Sequence, residues 1–222
     1  MSKVEEMITW VDESLANAES DIHGIKDSRV LDIVGLSTSH FQKFLNNLCS
    51  FSPVKYLEIG TFRGKMFCGA AAGNKNLVAY CVDNFIEKRP EDSVGIINSN
   101  IDMVKPTSGE LKFINKDSLS ITSQDLDDNR FDIFMYDGDH EPPFTGNNFK
   151  YFLQYMNDVF IFMLDDYDDA FHDAKVRRDF ERVLPECNLK IEKEWKMIGQ
   201  GGGDGNKWHN GVFIAVISKL SK

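Results

Sequence analysis

The 222-residue chain has no apolar run long enough to cross a bilayer, no closely spaced cysteine pair and no excess of basic residues. Its longest apolar stretches, such as 159–164, fall far short of the roughly 20 residues of a membrane helix. The first residues, MSKVEEMITWVDESL, carry acids where a secretion signal has a basic start before an apolar run. We therefore expect a cytoplasmic protein that neither spans a membrane nor is exported.

Charge and cysteine usage exclude further classes of protein. The chain has 25 Lys plus Arg against 35 Asp plus Glu, a formal net charge of −10, whereas a nucleic-acid binder needs a basic face to neutralise phosphates. We expect no nucleic-acid partner. The four cysteines, at positions 49, 68, 81 and 187, lack the spacing of a zinc site. They are predicted to be buried thiols in a reducing compartment.

The composition is that of an ordinary folded protein, with 42% hydrophobic and 27% charged residues and 17 Phe. Residues 2–18 have helical amphipathic spacing. A second helix is predicted to start at Ser39, because Ser39 and Gln42 have the spacing of a capping box. We interpret residues 1–50 as an N-terminal helical cap and residues 51–222 as the main domain.

From residue 54 onward, short apolar runs alternate with helical stretches, which predicts an α/β fold with a doubly wound, mostly parallel sheet. Helices are expected over about 65–72, 144–156 and 170–184. Two further strand-like segments, joined by residues 199–210, predict a closing antiparallel hairpin. The predicted strands are VKYLEI, LVAYCV, LKFI, FDIFMY, VFIFML, LKIEKEWKMI and GVFIAVISKL.

A glycine motif follows the first predicted strand, in the segment LEIGTFRG. Gly60 and Gly64 are spaced G-x-x-x-G, whereas dinucleotide-binding sheets use G-x-G-x-x-G to hold a pyrophosphate. Glycine there lets backbone approach a ligand closely, beside the free N–H groups of a helix start. The motif suits a nucleoside without phosphates, although a tight turn would use the same residues.

The next two predicted strands also end in polar residues. Asp83 lies about twenty residues after the glycines, where a doubly wound fold places the acid that binds ribose hydroxyls. Residues 115–118, including Asp117 and Ser118, could contact an adenine edge or could form an ordinary turn at the end of a strand.

Acidic residues gather after the fourth and fifth predicted strands, which would place several carboxylates at one sheet edge. Asp137 and Asp139 follow the fourth strand, and Asp165, Asp166, Asp168 and Asp169 follow the fifth. Like charges so close repel, and oxygen ligands favour Mg²⁺, Mn²⁺ or Ca²⁺. The alternative is that these acids cap the following helices. That explains one or two of them, but explains Asp137, Asp165 and Asp166 together less well.

Taken together, LEIGTFRG, the acid of CVDNF, the MYDGDH block and the LDDYD block with its following VRR resemble class I S-adenosylmethionine-dependent methyltransferases. The resemblance covers roughly residues 38–218 and is strongest to small-molecule O-methyltransferases of the catechol and macrocin types. It implies a Rossmann-like, seven-stranded sheet with an antiparallel last strand. It also implies a cofactor site in the main domain, formed by Glu58, Gly60, Thr61, Gly64, Asp83, Asp117, Ser118 and Asp137.

The resemblance further implies a metal site and a catalytic base. Metal-dependent members take one ligand from the acid that ends the fourth strand and two from the end of the fifth, which correspond to Asp137, Asp165 and Asp166. Asn157-Asp158 stands where the family often has a glycine pair. His140 corresponds to the family's basic side chain, and Asp139 is a rival base. His140 could instead begin the next helix or point to solvent.

These observations predict divalent-cation-assisted methyl transfer from S-adenosylmethionine to a hydroxyl of a small molecule, such as a sugar or a phenol. The alternatives are a binding module or hydroxylase-like protein with the same fold, and a nicotinamide-dependent oxidoreductase, which the missing G-x-G-x-x-G disfavours. Glu141–Phe144 superficially resembles a nucleic-acid amino-methyltransferase motif, but it comes four residues after Asp137. The glycine-rich segment 199–210 could be a lid or a plain loop, and the cap could contact a second copy of the chain.

Overall fold

A computed structural model describes residues 1–85, 92–167, 174–199 and 207–220. The helices within these ranges are α1 Lys3–Glu19, α2 Ser39–Leu48, α3 Lys65–Ala71, α4 Ser93–Val104, α5 Phe144–Phe152 and α6 Lys175–Val183. The strands are β1 Val54–Ile59, β2 Leu77–Asp83, β3 Glu110–Asn115, β4 Phe131–Tyr136, β5 Met156–Leu164, β6 Leu189–Met197 and β7 Val212–Lys219.

The described strands form one seven-stranded sheet in the order β3-β2-β1-β4-β5-β7-β6. The first five strands are parallel, and β7 lies antiparallel between β5 and β6. This arrangement confirms the predicted doubly wound fold and the antiparallel insertion of the last strand. The carboxyl ends of β1, β4 and β5 are consequently neighbours at one edge of the sheet, hereafter the carboxyl edge.

Helices cover both faces of the sheet, and successive side chains of a strand contribute to opposite layers. Along β5, Ile161 and Met163 join the hydrophobic cluster beneath α1 to α4, whereas Phe162 joins the cluster beneath α5 and α6. Phe149 of α5 packs its ring 4.7 Å from Phe162 and 4.9 Å from Phe180 of α6. Much of the phenylalanine content therefore builds this second layer.

The cap is fastened to the first helix of the main domain by side chains that bond to backbone. Gln42 donates through Nε2 to the carbonyls of Val30 and Lys65, both at 2.9 Å. Lys65 Nζ in turn donates to Ile33 O at 2.9 Å. Residues of α1 and α2 share one hydrophobic cluster with the sheet, and the boundary at residue 50 stays a prediction.

Two helix boundaries differ from those that the sequence predicts. The N-cap of α2 is Thr38, whose Oγ1 accepts from Phe41 N at 3.2 Å. Ser39 is therefore not the cap, and Gln42 faces the core instead of closing a capping box. The helix expected to reach residue 156 ends at Phe152, because β5 already begins at Met156 and contains Asn157 and Asp158.

One helix was not expected, and another is described in part. The sequence of α4, SVGIINSNIDMV, is poor in strong helix formers, but Ile97, Ile101 and Val104 are buried in the core. Tertiary packing therefore stabilises this helix where intrinsic propensity does not. The helix expected over 170–184 is seen as α6, and its predicted start lies outside the described residues.

All four cysteines are free and buried, as predicted. In the described ranges, none of the helices combines the length and the apolarity that a membrane span requires.

The N-cap assignment predicts different costs for two neighbouring substitutions. Thr38→Ala removes the bond to Phe41 N and a second bond, at 2.6 Å, from Thr38 Oγ1 to Lys207 O. We expect it to lower the free energy of unfolding by about 1–2 kcal/mol, and Ser39→Ala by less than about 0.5 kcal/mol. Urea denaturation measures both, and equal costs would contradict the assignment.

Candidate active site

The carboxyl edge is assembled by backbone hydrogen bonds that continue the strand pairing past the strand ends. Asp137 N donates to Ile59 O at 2.8 Å, and Asp165 N donates to Tyr136 O at 3.1 Å. The residues that follow β1, β4 and β5 are thereby held side by side. The glycine motif and the acidic residues meet at this edge, as predicted. They are separated by over seventy residues in the sequence.

Gly60 is required by the close approach of two backbone segments. It has φ +87°, and a Cβ at this position would lie 1.9 Å from Asp137 O. No other residue fits without moving the chain that carries Asp137. Gly64, with φ +77°, is the N-cap of α3. The G-x-x-x-G motif thus forms a tight turn that also brings β1 against the acidic segment after β4.

Asp83 lies at the end of β2 and reaches across to the glycine loop. Its Oδ2 accepts from Phe62 N at 2.7 Å, and its Oδ1 accepts from Phe85 N at 2.8 Å. A carboxylate can accept about four hydrogen bonds, so it keeps capacity for ribose hydroxyls. The neighbouring Thr61 is buried, with its hydroxyl beside Glu58.

The predicted adenine contacts lie at the next strand end. Asp117 accepts from Leu119 N at 2.9 Å through Oδ1, and from Asn84 Nδ2 at 3.3 Å through Oδ2. Ser118 begins a short 3₁₀ turn after it. The ends of β2 and β3 are therefore linked, with Asp117 exposed and Ser118 half-buried.

Glu58 lies within β1, and its side chain is buried. It is 1% exposed, and Tyr56 Oη donates to its Oε2 at 2.5 Å. Burial raises the pKa of Glu58 from 4.5 to about 7, partly opposed by the hydrogen bond from Tyr56. This carboxyl therefore carries a proton in a substantial fraction of molecules near neutral pH.

Asp137, His140 and Asp166 each offer one ligand atom, and these atoms lie within 4.8 Å of one another. His140 Nε2 lies 2.8 Å from Asp166 Oδ2. Asp165, also predicted as a ligand, is 3% exposed, and its Oδ1 is buried without a hydrogen bond to any described residue. The structure thus gathers Asp137 and Asp166 with His140, and leaves Asp165 beside them with an unsatisfied oxygen.

The pKa values of the three aspartates diverge, as expected where like charges crowd. Burial, reinforced by Asp165 and Asp166, raises the pKa of Asp137 well above its ordinary value. Burial and the charge of Asp166 raise the pKa of Asp165 to about 8. Burial also acts to raise the pKa of Asp166, but hydrogen bonds from His140, His209 and Asn210 outweigh it and lower that pKa. Of the three aspartates, Asp166 is therefore the one that loses its proton most readily.

The two candidate bases occupy different environments. Asp139 is exposed, and its Oδ1 accepts from Glu141 N at 2.8 Å, so its carboxylate closes a local turn. His140 is half-buried and faces Asp166. Asp168 and Asp169 lie outside the described residues.

Two residues of the β6–β7 connection, Asn210 and His209, also reach the site. Neither is among the site residues that the sequence predicts. Asn210 Nδ2 donates to Asp166 Oδ1 at 2.8 Å, and His209 Nδ1 lies 3.9 Å from the same oxygen. The sequence pointed to this segment only through the hypothesis that residues 199–210 form a lid over the substrate. That expectation falls largely on residues 200–206, which lie outside the described ranges.

The fold and the site together define a class of protein. An open α/β sheet, a glycine turn without the pyrophosphate pattern, an acid ending β2 and an acidic cluster at the carboxyl edge are typical of nucleoside-cofactor enzymes. A family model described as a methyltransferase domain matches residues 57–167, half of the chain. The chain belongs to this methyltransferase-domain family, which confirms the resemblance inferred from its sequence and makes it an S-adenosylmethionine-dependent methyltransferase.

Solved structures show the same fold. An O-methyltransferase from Bacillus cereus in complex with S-adenosylhomocysteine is 18% identical, with a TM-score of 0.61, covering 96% of this chain and 100% of that one. A protein assigned as an O-methyltransferase from Klebsiella pneumoniae is 17% identical, with a TM-score of 0.58 and coverages of 99% and 91%. One assigned as a caffeoyl-CoA O-methyltransferase from Staphylococcus aureus is 14% identical, with a TM-score of 0.55 and coverages of 97% and 92%.

At these identities the structural similarity establishes the fold alone. No curated protein sequence matches the chain.

The pKa of Glu58 predicts a pH-dependent stability. A carboxyl with a raised pKa binds its proton more tightly in the folded state, so it favours folding at low pH. Its contribution is present below about pH 4.5 and is lost as the pH rises through about 7. Glu58→Gln should therefore gain stability relative to wild type between pH 5 and pH 8, by up to about 3 kcal/mol.

Urea titrations of the cofactor-free protein in chelator at both pH values give this difference. Glu13→Gln, an exposed change on α1, serves as the matched control and should follow wild type. A Glu58→Gln variant that also follows wild type would show that Glu58 is charged throughout.

Proposed function

We propose that the chain transfers a methyl group from S-adenosylmethionine to a hydroxyl oxygen of a small molecule, with assistance from a divalent cation. The observation that carries the proposal is the contact of Gly60 with Asp137, which sets a nucleoside-binding turn directly against the acidic cluster. The Bacillus cereus neighbour, described as an O-methyltransferase with S-adenosylhomocysteine bound, supports oxygen as the acceptor atom.

The residues of the edge fit S-adenosylmethionine. Gly60 and Gly64 provide backbone without side-chain bulk, Thr61 provides a buried hydroxyl, and Asp83 keeps acceptor capacity. We assign the methionine and ribose parts to Glu58, Gly60, Thr61 and Gly64, and the ribose hydroxyls to Asp83. Asp117 and Ser118 would contact the adenine.

The acidic cluster fits a hard divalent cation. Carboxylate oxygens are the ligands that Mg²⁺ and Mn²⁺ prefer. Asp165 Oδ1, which has no hydrogen-bond partner among the described residues, is available as a ligand atom. Asp137, Asp165 and Asp166 would hold the ion, and the imidazole of His140 is close enough to compete for it. A positive charge here would offset the burial and the neighbouring negative charges that raise the pKa values of Asp137 and Asp165.

The chemistry is an in-line displacement at carbon. Bound S-adenosylmethionine supplies an electrophilic methyl group, and a bound cation lowers the pKa of a coordinated hydroxyl. Transfer would form a C–O bond at the acceptor and break the S–C bond, whose electrons would stay on sulfur, and His140 would take the hydroxyl proton. Orientation by the fixed side chains at the edge would supply much of the rate enhancement.

The substrate class follows from chemistry and not from a recognised pocket. A cation beside an imidazole suits an acceptor with one or two hydroxyls, such as a phenol or a sugar. The net charge of −10 disfavours a nucleic-acid substrate. Should cofactor bind while no hydroxylated acceptor is methylated, the alternative of a binding module or a hydroxylase-like protein with this fold gains support.

Isothermal titration tests cofactor and cation separately. We expect S-adenosylmethionine to bind wild type in chelator, and Mg²⁺ or Mn²⁺ to bind after dialysis. Asp165→Asn should weaken cation binding at least about tenfold, because a charged oxygen ligand becomes a neutral amide. Asp102→Asn, an exposed change on α4, is the control. Equal cation binding in both variants would exclude Asp165 as a ligand.

Rate measurements decide between the two candidate bases. With an acceptor found among catechols, phenols and sugars by release of S-adenosylhomocysteine, His140→Gln should lower kcat by about 10²–10⁴-fold. Asp139→Asn should lower it far less, because its carboxylate is engaged in a turn. The reverse order would make Asp139 the base.

A further inference from the structure

The β6–β7 connection approaches the acidic cluster in a fixed conformation. Gly211 N donates to Trp208 O at 2.7 Å, which closes a turn in which His209 has φ +47°. Tyr167 N donates to Gly211 O at 3.1 Å, which ties the turn to the end of β5. Asn210 is thus carried between two points that the backbone fixes.

The same segment is fastened to the cap. Trp208 is 9% exposed and packs its ring 5.0 Å from His40 and 5.6 Å from both Phe41 and Phe44. Thr38 Oγ1 donates to Lys207 O at 2.6 Å. The position of Asn210 therefore depends on α2 as well as on β7.

Asn210 acts on a carboxylate with both oxygens engaged. Asp166 Oδ1 accepts from Asn210 Nδ2 at 2.8 Å, and Oδ2 lies 2.8 Å from His140 Nε2. Asp166 also has φ +53°, a backbone conformation that few non-glycine residues adopt. The backbone is held on both sides of this residue, because Asp165 N donates to Tyr136 O and Tyr167 N donates to Gly211 O. With Oδ1 held by Asn210, Oδ2 is directed at His140 Nε2.

We propose that Asn210 is a positioning residue that fixes the side chain of Asp166 and, through it, the imidazole of His140. This proposal rests on the proposed function only where it concerns rate, because the chain of hydrogen bonds from Asn210 to His140 exists in the protein itself. It links the cap, through the anchored turn 207–211, to the group that would accept the hydroxyl proton.

The chain contains a closely matched control. Asn157 Nδ2 donates to Asp132 Oδ1 at 2.8 Å, and Asp132 Oδ2 accepts a second bond from Lys55 N at 3.0 Å. This partly buried Asn–Asp pair joins the starts of β4 and β5, at the opposite edge of the sheet. Asn157→Ala removes an equivalent hydrogen bond without touching the site.

The experiment compares Asn210→Ala with Asn157→Ala in the full-length protein. Imidazole nitrogen–proton correlation spectra, assigned with His140→Gln, report the tautomer and hydrogen bonding of His140. We expect Asn210→Ala to shift or broaden the His140 signals and Asn157→Ala to leave them unchanged. With a working acceptor, Asn210→Ala should lower kcat at least about tenfold and change the affinity for S-adenosylmethionine less than twofold.

Three outcomes separate the claims. His140 signals unchanged in Asn210→Ala overturn the proposal. A kcat equal to that of Asn157→Ala, in a protein that is active, also overturns it. If wild type methylates no acceptor but Asn210→Ala still perturbs His140, the proposed function fails while the positioning role stands. Asn210→Gln, which keeps the amide on a longer side chain, should restore part of the rate if donation to Asp166 is the cause.

Discussion

The burial and mutual repulsion of carboxylates at one edge of the sheet are the constraint on which the rest of the site depends. Without compensation, Asp137, Asp165 and Asp166 could not all be charged in so small a volume. The protein stabilises one anion, Asp166, with hydrogen bonds from neighbouring side chains. It leaves the pKa values of Asp137 and Asp165 raised. Under the proposed function, a cation bound here would take the place of these protons.

The fold creates that constraint through strand order and register. Because β1, β4 and β5 are parallel neighbours, whatever follows each of them arrives at the same edge. Gly60 permits the closest approach, and the backbone bond from Asp137 N to Ile59 O holds it. The glycine turn and the acidic cluster are therefore one structural unit, and a larger residue at position 60 would move Asp137.

Sequence patterns predicted the features that depend on local order. The first five strands were visible as short apolar runs and the last two as strand-like segments. The acids that end β2, β4 and β5 could be placed at one edge once these strands were taken as parallel. Helix α4 was not predicted, because its residues have weak helix propensity and its stability comes from burial of Ile97, Ile101 and Val104. The predicted N-cap residue of α2 was wrong by one position, because Thr38 and Ser39 are both good N-cap residues and only tertiary contacts distinguish them.

The part played by Asn210 could not be predicted for a different reason. Asn210 and Asp166 are separated by 44 residues, and no local pattern shows that an asparagine in a glycine-rich connection faces an acid at the end of β5. The pairing follows from the insertion of β7 next to β5, which returns the chain to the carboxyl edge. The insertion itself was predicted. Which residue of the connection faces Asp166 depends on the packing of Trp208 against α2, and this packing has no signature in the local sequence.

The central claim is that cofactor and cation bind together at the carboxyl edge. Anomalous diffraction from crystals grown with S-adenosylhomocysteine and Mn²⁺ tests it most directly. The account predicts a manganese peak bound by carboxylate oxygens of the Asp137, Asp165 and Asp166 group, beside an S-adenosylhomocysteine molecule lying over Gly60 with its ribose at Asp83. S-adenosylhomocysteine bound there with no manganese peak at the acids, or with the peak elsewhere, would contradict it.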